Sequence, residues 1–174
     1  RYIVTGGGGF VGKALAKALR AAGHQVLSIS RASYPELQEL GIISAQIDIS
    51  SDPSTWCELF TSVDGVFHTA AKVDMWGSYE GFFKTNVIGT RNVIEACRRA
   101  SVPSLVFTSS PSVIHDGAQL NGVDESYPYP KHFPAFYPQT KAQAEQEVMA
   151  ADYKNGLRTV ALRPHLIWGP NDTN

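Results

Sequence analysis

Tyr2-Ile3-Val4-Thr5-Gly6-Gly7-Gly8-Gly9-Phe10-Val11-Gly12-Lys13-Ala14-Leu15-Ala16-Lys17-Ala18-Leu19-Arg20 decides the fold. Tyr2-Ile3-Val4 is a short apolar run with the length and composition of a buried strand. Val11, Leu15 and Leu19 recur at i, i+4 and i+8, the spacing of one helix face. The glycines therefore sit where a strand turns into a helix. Gly6, Gly9 and Gly12 are three apart, a G-x-x-G-x-x-G variant of the dinucleotide fingerprint. The first permits the tight turn, the second lets a pyrophosphate approach the backbone, and the third lets the helix lie close on the sheet. The helix start, at Phe10 and Val11, then presents unpaired N–H groups and partial positive charge to phosphates. A glycine-rich turn with no ligand is the bland alternative, and the strand-before, helix-after context argues against it.

Working outward, the pattern repeats. Val26-Leu27-Ser28-Ile29-Ser30 reads as a second strand after Gly23, and Ile42 to Ile49 as a third. A helix is expected from Pro53 through Trp56, Leu59 and Phe60. Strands follow at Val66 to Ala71, Ser104 to Thr108 and Arg158 to Arg163. A long helix with Val87, Thr90, Ile94 and Cys97 on one stripe, and another starting at Tyr137, separate them. Gly117 to Pro138 reads as a long loop, and loops of that length are usually functional. Alternating strands and helices predict an α/β, doubly wound parallel sheet, Rossmann-like, in three layers.

The bulk numbers narrow the function. The chain has 174 residues, 43% hydrophobic, with a net charge of −1. That fits one soluble domain and excludes a strongly basic nucleic-acid binder. Cys57 and Cys97 have no metal-ligand spacing, and neither do His24, His68, His115, His132 and His165, so no metal is expected. No apolar run is long enough to span a bilayer, and a reducing, cytoplasmic location is expected. Arg1 already abuts the first strand, and the chain stops soon after the sixth. Residues 1–174 therefore read as the dinucleotide-binding domain of a longer protein, without its C-terminal substrate region. The expected partner is a small molecule, with a homodimer allowed.

Several positions at the strands' C-terminal ends are candidate cofactor contacts, because ligands bind there in open α/β sheets. Strand two ends in Ser30-Arg31, where an acid would hold ribose hydroxyls. A hydroxyl and a guanidinium suit a 2′-phosphate instead, so NADP(H) is preferred and NAD(H) allowed. Asp48, beside Ile49, can accept from an adenine amino group or cap the next turn. Ala70 and Ala71, followed by Lys72, are small enough for a ribose to lie against. Tyr137 and Lys141 are four apart and share a helix face. Beside a nicotinamide, an ammonium at Lys141 is expected to lower the Tyr137 phenol's pKa and to hold the ribose. Ser110 would donate a hydrogen bond to the substrate oxygen. His165 lines the cofactor site or packs as a structural histidine.

At these residues the chain resembles the extended short-chain dehydrogenase/reductase family, also called the NAD-dependent epimerase/dehydratase family. Thr5 to Gly12 resembles its cofactor loop, Tyr137-x-x-x-Lys141 its catalytic pair and Ser110 its catalytic serine. Asn86-Val87-Ile88-Gly89-Thr90 is similar to its Asn-containing helix stretch, and Arg163-Pro164 to its strand-six ending. Ala70 to Gly77, Thr108 to Val113 and Leu162 to Pro170 are more similar to the 3β-hydroxysteroid dehydrogenase-like branch, and within it to bacterial 2-alkyl-3-oxoalkanoate reductases. The resemblance implies a keto/hydroxy oxidoreductase acting on a 3-oxo or 3-hydroxy acid or a sterol-like molecule. Its cofactor contacts would include Asn86, Tyr137, Lys141, Pro164 and His165. A nucleotide-sugar epimerase is an alternative. Dehydration is disfavoured because Pro111-Ser112, and not an acidic pair, follow Ser110. A non-catalytic NADP-sensing module is the alternative from another class, and the intact Tyr137-Lys141 pair argues against it.

Overall fold

The computed structural model describes residues 1–117, 119–170 and 172. Six strands form one parallel sheet in the order β3-β2-β1-β4-β5-β6. They are β1 (Tyr2–Thr5), β2 (Val26–Ser30), β3 (Ile43–Gln46), β4 (Gly65–His68), β5 (Ser104–Thr108) and β6 (Arg158–Leu162). The order reverses between β1 and β4, which opens a crevice at their C-terminal ends, where such sheets bind ligands.

Helices cover both faces. α1 (Phe10–Ala21) and α2 (Pro35–Glu39) bury Val4, Ala16, Val26, Leu37 and Ile42 on one side. On the other lie α3 (Tyr79–Phe83), α4 (Gly89–Arg99) and α5 (Phe136–Ala150). The core there includes Ile3, Ile29, Val66, Val93, Cys97, Leu105, Phe107 and Val148. The stripe read from the sequence, Val87, Thr90, Ile94 and Cys97, is buried throughout.

Four elements differ from the sequence reading by more than a residue, and the first is β4, which ends at His68, not Ala71. β3 ends at Gln46, not Ile49. One more ladder bond forms, from Ile47 N–H to the Ser30 carbonyl, before Asp48 turns the chain by accepting from the Ser50 N–H and hydroxyl. The helix expected from Pro53 is two 3₁₀ turns, Pro53–Thr55 and Cys57–Phe60, separated at Trp56, whose φ of −141° is not helical. The long helix is interrupted by a π-turn at Lys84–Ile88 that links α3 to α4. Such turns are rare and insert one extra residue into the helix. Here the Thr90 hydroxyl donates to the Asn86 carbonyl at 2.6 Å, and the Asn86 side chain is buried.

Candidate active site

The glycine loop is shaped by close packing. Gly6 has φ +72°, and a Cβ there would lie 2.7 Å from the Ala70 nitrogen. A Cβ on Gly12 would stand 2.2 Å from the Gly6 carbonyl oxygen. These two positions bring α1 and β4 against the loop. Gly9 differs: it is the exposed N-cap of α1, and its Cβ would meet only the Gly6 oxygen, at 3.3 Å. No side chain caps α1, and its first turn carries no acid. The orphan N–H groups of a twelve-residue helix thus face an open position, a fit for a pyrophosphate.

Beside the loop lies a cleft of about 290 Å³. Of the expected contacts, Gly6, Gly9, Ser30, Arg31, Asp48 and Ile49 line it, as do Ala70 and Ala71. The Ser30 hydroxyl accepts from the Gly8 N–H at 3.1 Å, which leaves its own O–H available to donate. Arg31 is exposed. Burial pushes Asp48 up, but the Ser50 hydroxyl and N–H hold its carboxyl below the usual range, with help from Lys84 and Arg31. Tyr34 and Thr85 also line this cleft and were not foreseen. The Tyr34 ring occupies the space where a Gly8 side chain would be, an aromatic three residues past Arg31 being the only signal.

A second cavity of about 550 Å³ joins the other end of the loop to the helix-five residues. Val11, Ser110, Tyr137, Lys141, Pro164 and His165 line it together. Ser110 caps the 3₁₀ turn Pro111–Ile114, accepting from the Ser112 N–H, and its hydroxyl meets that of Ser112 at 2.9 Å. Tyr137 lines the same cavity as Ser110, whose hydroxyl favours the ionised form of its phenol. Lys141 is 2% exposed; its Nζ donates to the Thr108 carbonyl at 2.7 Å and sits 4.0 Å from the centre of the Phe107 ring. Burial pulls the Lys141 ammonium down to about 7, against the opposing charge of Glu145. Val73, Leu166 and Ile167 complete an apolar wall that the sequence did not single out.

One electrostatic expectation is corrected. The Tyr137 phenol is raised, not lowered: burial pushes it up, and the Ser110 hydroxyl only partly offsets this. Lys141 does not depress it, because its Nζ is turned to the Thr108 carbonyl and much of its charge is suppressed by burial. The phenol is therefore protonated at neutral pH.

Four expected contacts stand outside both cavities; one is Gly12, which packs against the Gly6 carbonyl within the loop. The Phe10 ring lies against Gly169. Lys72 pairs with Asp74 and covers the Phe82 ring. Asn86 spends its whole amide inside the protein. Its oxygen accepts from the Lys72 N–H at 2.7 Å, and its nitrogen donates to the Lys72 carbonyl and the Thr140 hydroxyl, each at 3.1 Å. It pins the β4–α3 loop behind Ala70 and Ala71. His68 is also internal: its ring joins the Thr5 and Thr90 hydroxyls at 2.6 and 2.9 Å. Among the described residues no cluster of His, Cys, Asp or Glu could hold a metal, and no helix is long and apolar enough to cross a membrane.

Known proteins are similar to this chain in sequence and fold. The chain is 49% identical over 175 residues to the 2-alkyl-3-oxoalkanoate reductase of Stenotrophomonas maltophilia, covering 99% of this chain and 52% of that protein. It spans about half the length of the curated relatives it matches. A UDP-galactose 4-epimerase structure superposes with a TM-score of 0.82 at 29% identity, over 94% of this chain and 55% of that one. The structure of MoeE5 in complex with UDP-glucose and NAD superposes with a TM-score of 0.79 at 28% identity, over 93% and 53%. A family model matches residues 3–174, and the chain belongs to the 3-beta hydroxysteroid dehydrogenase/isomerase family.

Proposed function

We propose that residues 1–174 are the dinucleotide-binding part of an NADP(H)-dependent oxidoreductase that interconverts a ketone and a secondary alcohol. The observation that carries this reading is the convergence of Ser110, Tyr137 and Lys141 on one cavity that also opens onto the start of α1. The substrate is a 3-oxo or 3-hydroxy acid or a sterol-like molecule, by analogy with the named reductase. The second half of the relatives' length would complete its wall, and Leu162, Leu166 and Trp168 are exposed here, ready to be covered. The protein would be cytoplasmic, with a homodimer as the assembly to test.

The nicotinamide, when bound, would supply or accept the hydride. The chain's own residues manage the proton. The Tyr137 hydroxyl, protonated at neutral pH, donates to the carbonyl oxygen as negative charge grows there. That protonation state suits reduction better than oxidation. Ser110 donates a second hydrogen bond to the same oxygen. Lys141 would offer its ammonium to the ribose hydroxyls. Ser30 and Arg31 would take the 2′-phosphate, the guanidinium contributing a charge-assisted contact.

An epimerase reading draws on the fold shared with UDP-galactose 4-epimerase. The higher identity to the reductase favours ketone reduction. A non-catalytic sensor has no use for a buried lysine aligned with a tyrosine and a serine. Titration of the intact protein with NADPH and NADH, followed by turnover of a 3-oxo acid and of a UDP-sugar, tests the proposal. Tighter NADPH binding with 3-oxo acid reduction is expected; UDP-sugar inversion without reduction would overturn it.

A further inference from the structure

Glu145 lies one turn beyond Lys141 on α5, and like it is only 2% exposed. Residues four apart share a helix face. A carboxylate so deeply buried is costly unless it is fully paired. Here one carboxylate takes donors from two separate segments. Arg163 reaches Oε1 through one terminal nitrogen at 2.6 Å and through Nε at 3.0 Å. The Tyr129 hydroxyl donates to Oε1 at 2.7 Å. The Arg163 guanidinium also lies 5.5 Å from the centre of the Tyr129 ring.

The two donors belong to two different walls of the site. Arg163 directly follows β6 and directly precedes Pro164 and His165, which line the cavity with Tyr137 and Lys141. Tyr129 lies in the long loop before α5 and packs against Val113, Ile114 and Ala142. That loop lines a further cavity of about 710 Å³ on the far side of Pro111, bordered also by Arg163 and His165. Burial would raise Glu145, but Arg163 and Tyr129 hold it ionised, well below the usual carboxylate range. Tyr129 is pushed up to about 12, so it remains a donor.

We infer that Glu145 is a positioning residue for the proposed reaction: its carboxylate fixes the Lys141 helix, the strand-six exit and the long loop in one arrangement, and sets a negative charge one helical turn from Lys141. The inference rests on the reading of Ser110, Tyr137 and Lys141 as the reacting set. The groups that face Lys141 are Tyr137 and Glu145 on α5 and His68 on β4, with Arg163 and Tyr129 behind Glu145. His68 is neutral, burial holding it at about 3, so Glu145 is the negative charge that supports the ammonium.

The test titrates Lys141 Nζ by NMR in the intact protein carrying isotope-labelled lysine, the signal being assigned with Lys141→Arg. In Glu145→Gln the Lys141 midpoint falls by on the order of one unit, and the alkaline limb of turnover moves to lower pH with it. Glu145→Asp keeps the charge and gives a smaller drop. Tyr129→Phe keeps the ion pair and leaves the midpoint at the wild-type value. A folded Glu145→Gln protein with an unchanged Lys141 midpoint overturns the inference, whatever its stability. Should Glu145→Gln not fold, an unchanged midpoint in Glu145→Asp does the same. A wild-type protein that titrates as described but reduces no ketone refutes the proposed reaction alone, since the Lys141 midpoint is read without turnover.

Discussion

Gly12→Ala and Gly9→Ala make a paired test of the cofactor loop, because the structure assigns them opposite consequences. An added Cβ at Gly12 would sit 2.2 Å from the Gly6 carbonyl oxygen and 2.7 Å from both the Gly6 carbonyl carbon and the Thr69 hydroxyl oxygen. The first two are backbone atoms of a loop already packed on Ala70, so relief requires α1 to move. Overpacking of this kind costs about 1–3 kcal/mol. For a domain of this size 3 kcal/mol lowers Tm by roughly 6–12 °C. At Gly9 the Cβ meets one atom at 3.3 Å, so stability should change by less than about 1 kcal/mol. The same methyl group, however, stands over the uncapped start of α1. A phosphate displaced from charge-assisted N–H contacts loses about 1.5–3 kcal/mol, or roughly tenfold to a hundredfold in Kd. Thermal unfolding and NADPH titration of both variants separate the two effects. Gly9→Ala should melt near wild type and bind poorly, whereas Gly12→Ala should melt low. Wild-type NADPH affinity in Gly9→Ala would refute the placing of the pyrophosphate at α1.

Arg31→Ala should lower the NADPH-to-NADH affinity ratio by on the order of tenfold to a hundredfold, read by titration of both cofactors; an unchanged ratio removes Arg31 from 2′-phosphate recognition. Tyr137→Phe should abolish turnover while NADPH binding stays within a few-fold of wild type, since only the proton-carrying hydroxyl is lost. His68 should make the fold acid-sensitive. Its folded pKa, about 3, lies below the ordinary value of 6.5, so the unfolded chain takes up a proton that the folded one refuses. Stability is full above pH 6.5 and is lost as pH falls towards 3, by about 5 kcal/mol in all. Urea unfolding at pH 7 and pH 4.5 should show about 3 kcal/mol of that loss, and His68→Gln should flatten this part of the profile.

Most of the fold is legible in the chain because the glycine loop and the strand–helix alternation are local signals. Thr5 to Gly12 announces the crossover from β1 to α1, and the Val87–Cys97 stripe announces a helix packed on the sheet. What failed was also local in cause. Asp48 and Asp52 hold their own following N–H groups, ending β3 early and tightening the next helix into 3₁₀ turns. Asn86 offered only a resemblance: that its amide binds the Lys72 backbone depends on a π-turn no periodicity reveals. Tyr34, Leu166 and Ile167 were missed because a cleft wall is a property of spatial neighbours. The Tyr137 phenol was misjudged for a related reason. Spacing places Lys141 on its face, but only the packed structure shows Nζ turned to Thr108, with Lys141 buried and Tyr137 half-buried.

Hydride transfer is the step on which the proposed function stands. The most direct measurement follows the intact protein with NADPH deuterated at C4 of the nicotinamide and a 2-alkyl-3-oxo acid as substrate. Deuterium should appear on the carbinol carbon of the product, with consumption of NADPH matching product formed, and Tyr137→Phe should bind the labelled cofactor without transferring it. Bound NADPH that never labels a ketone, or transfer that persists undiminished in Tyr137→Phe, would contradict the assignment of this site as a Tyr137-dependent carbonyl reductase.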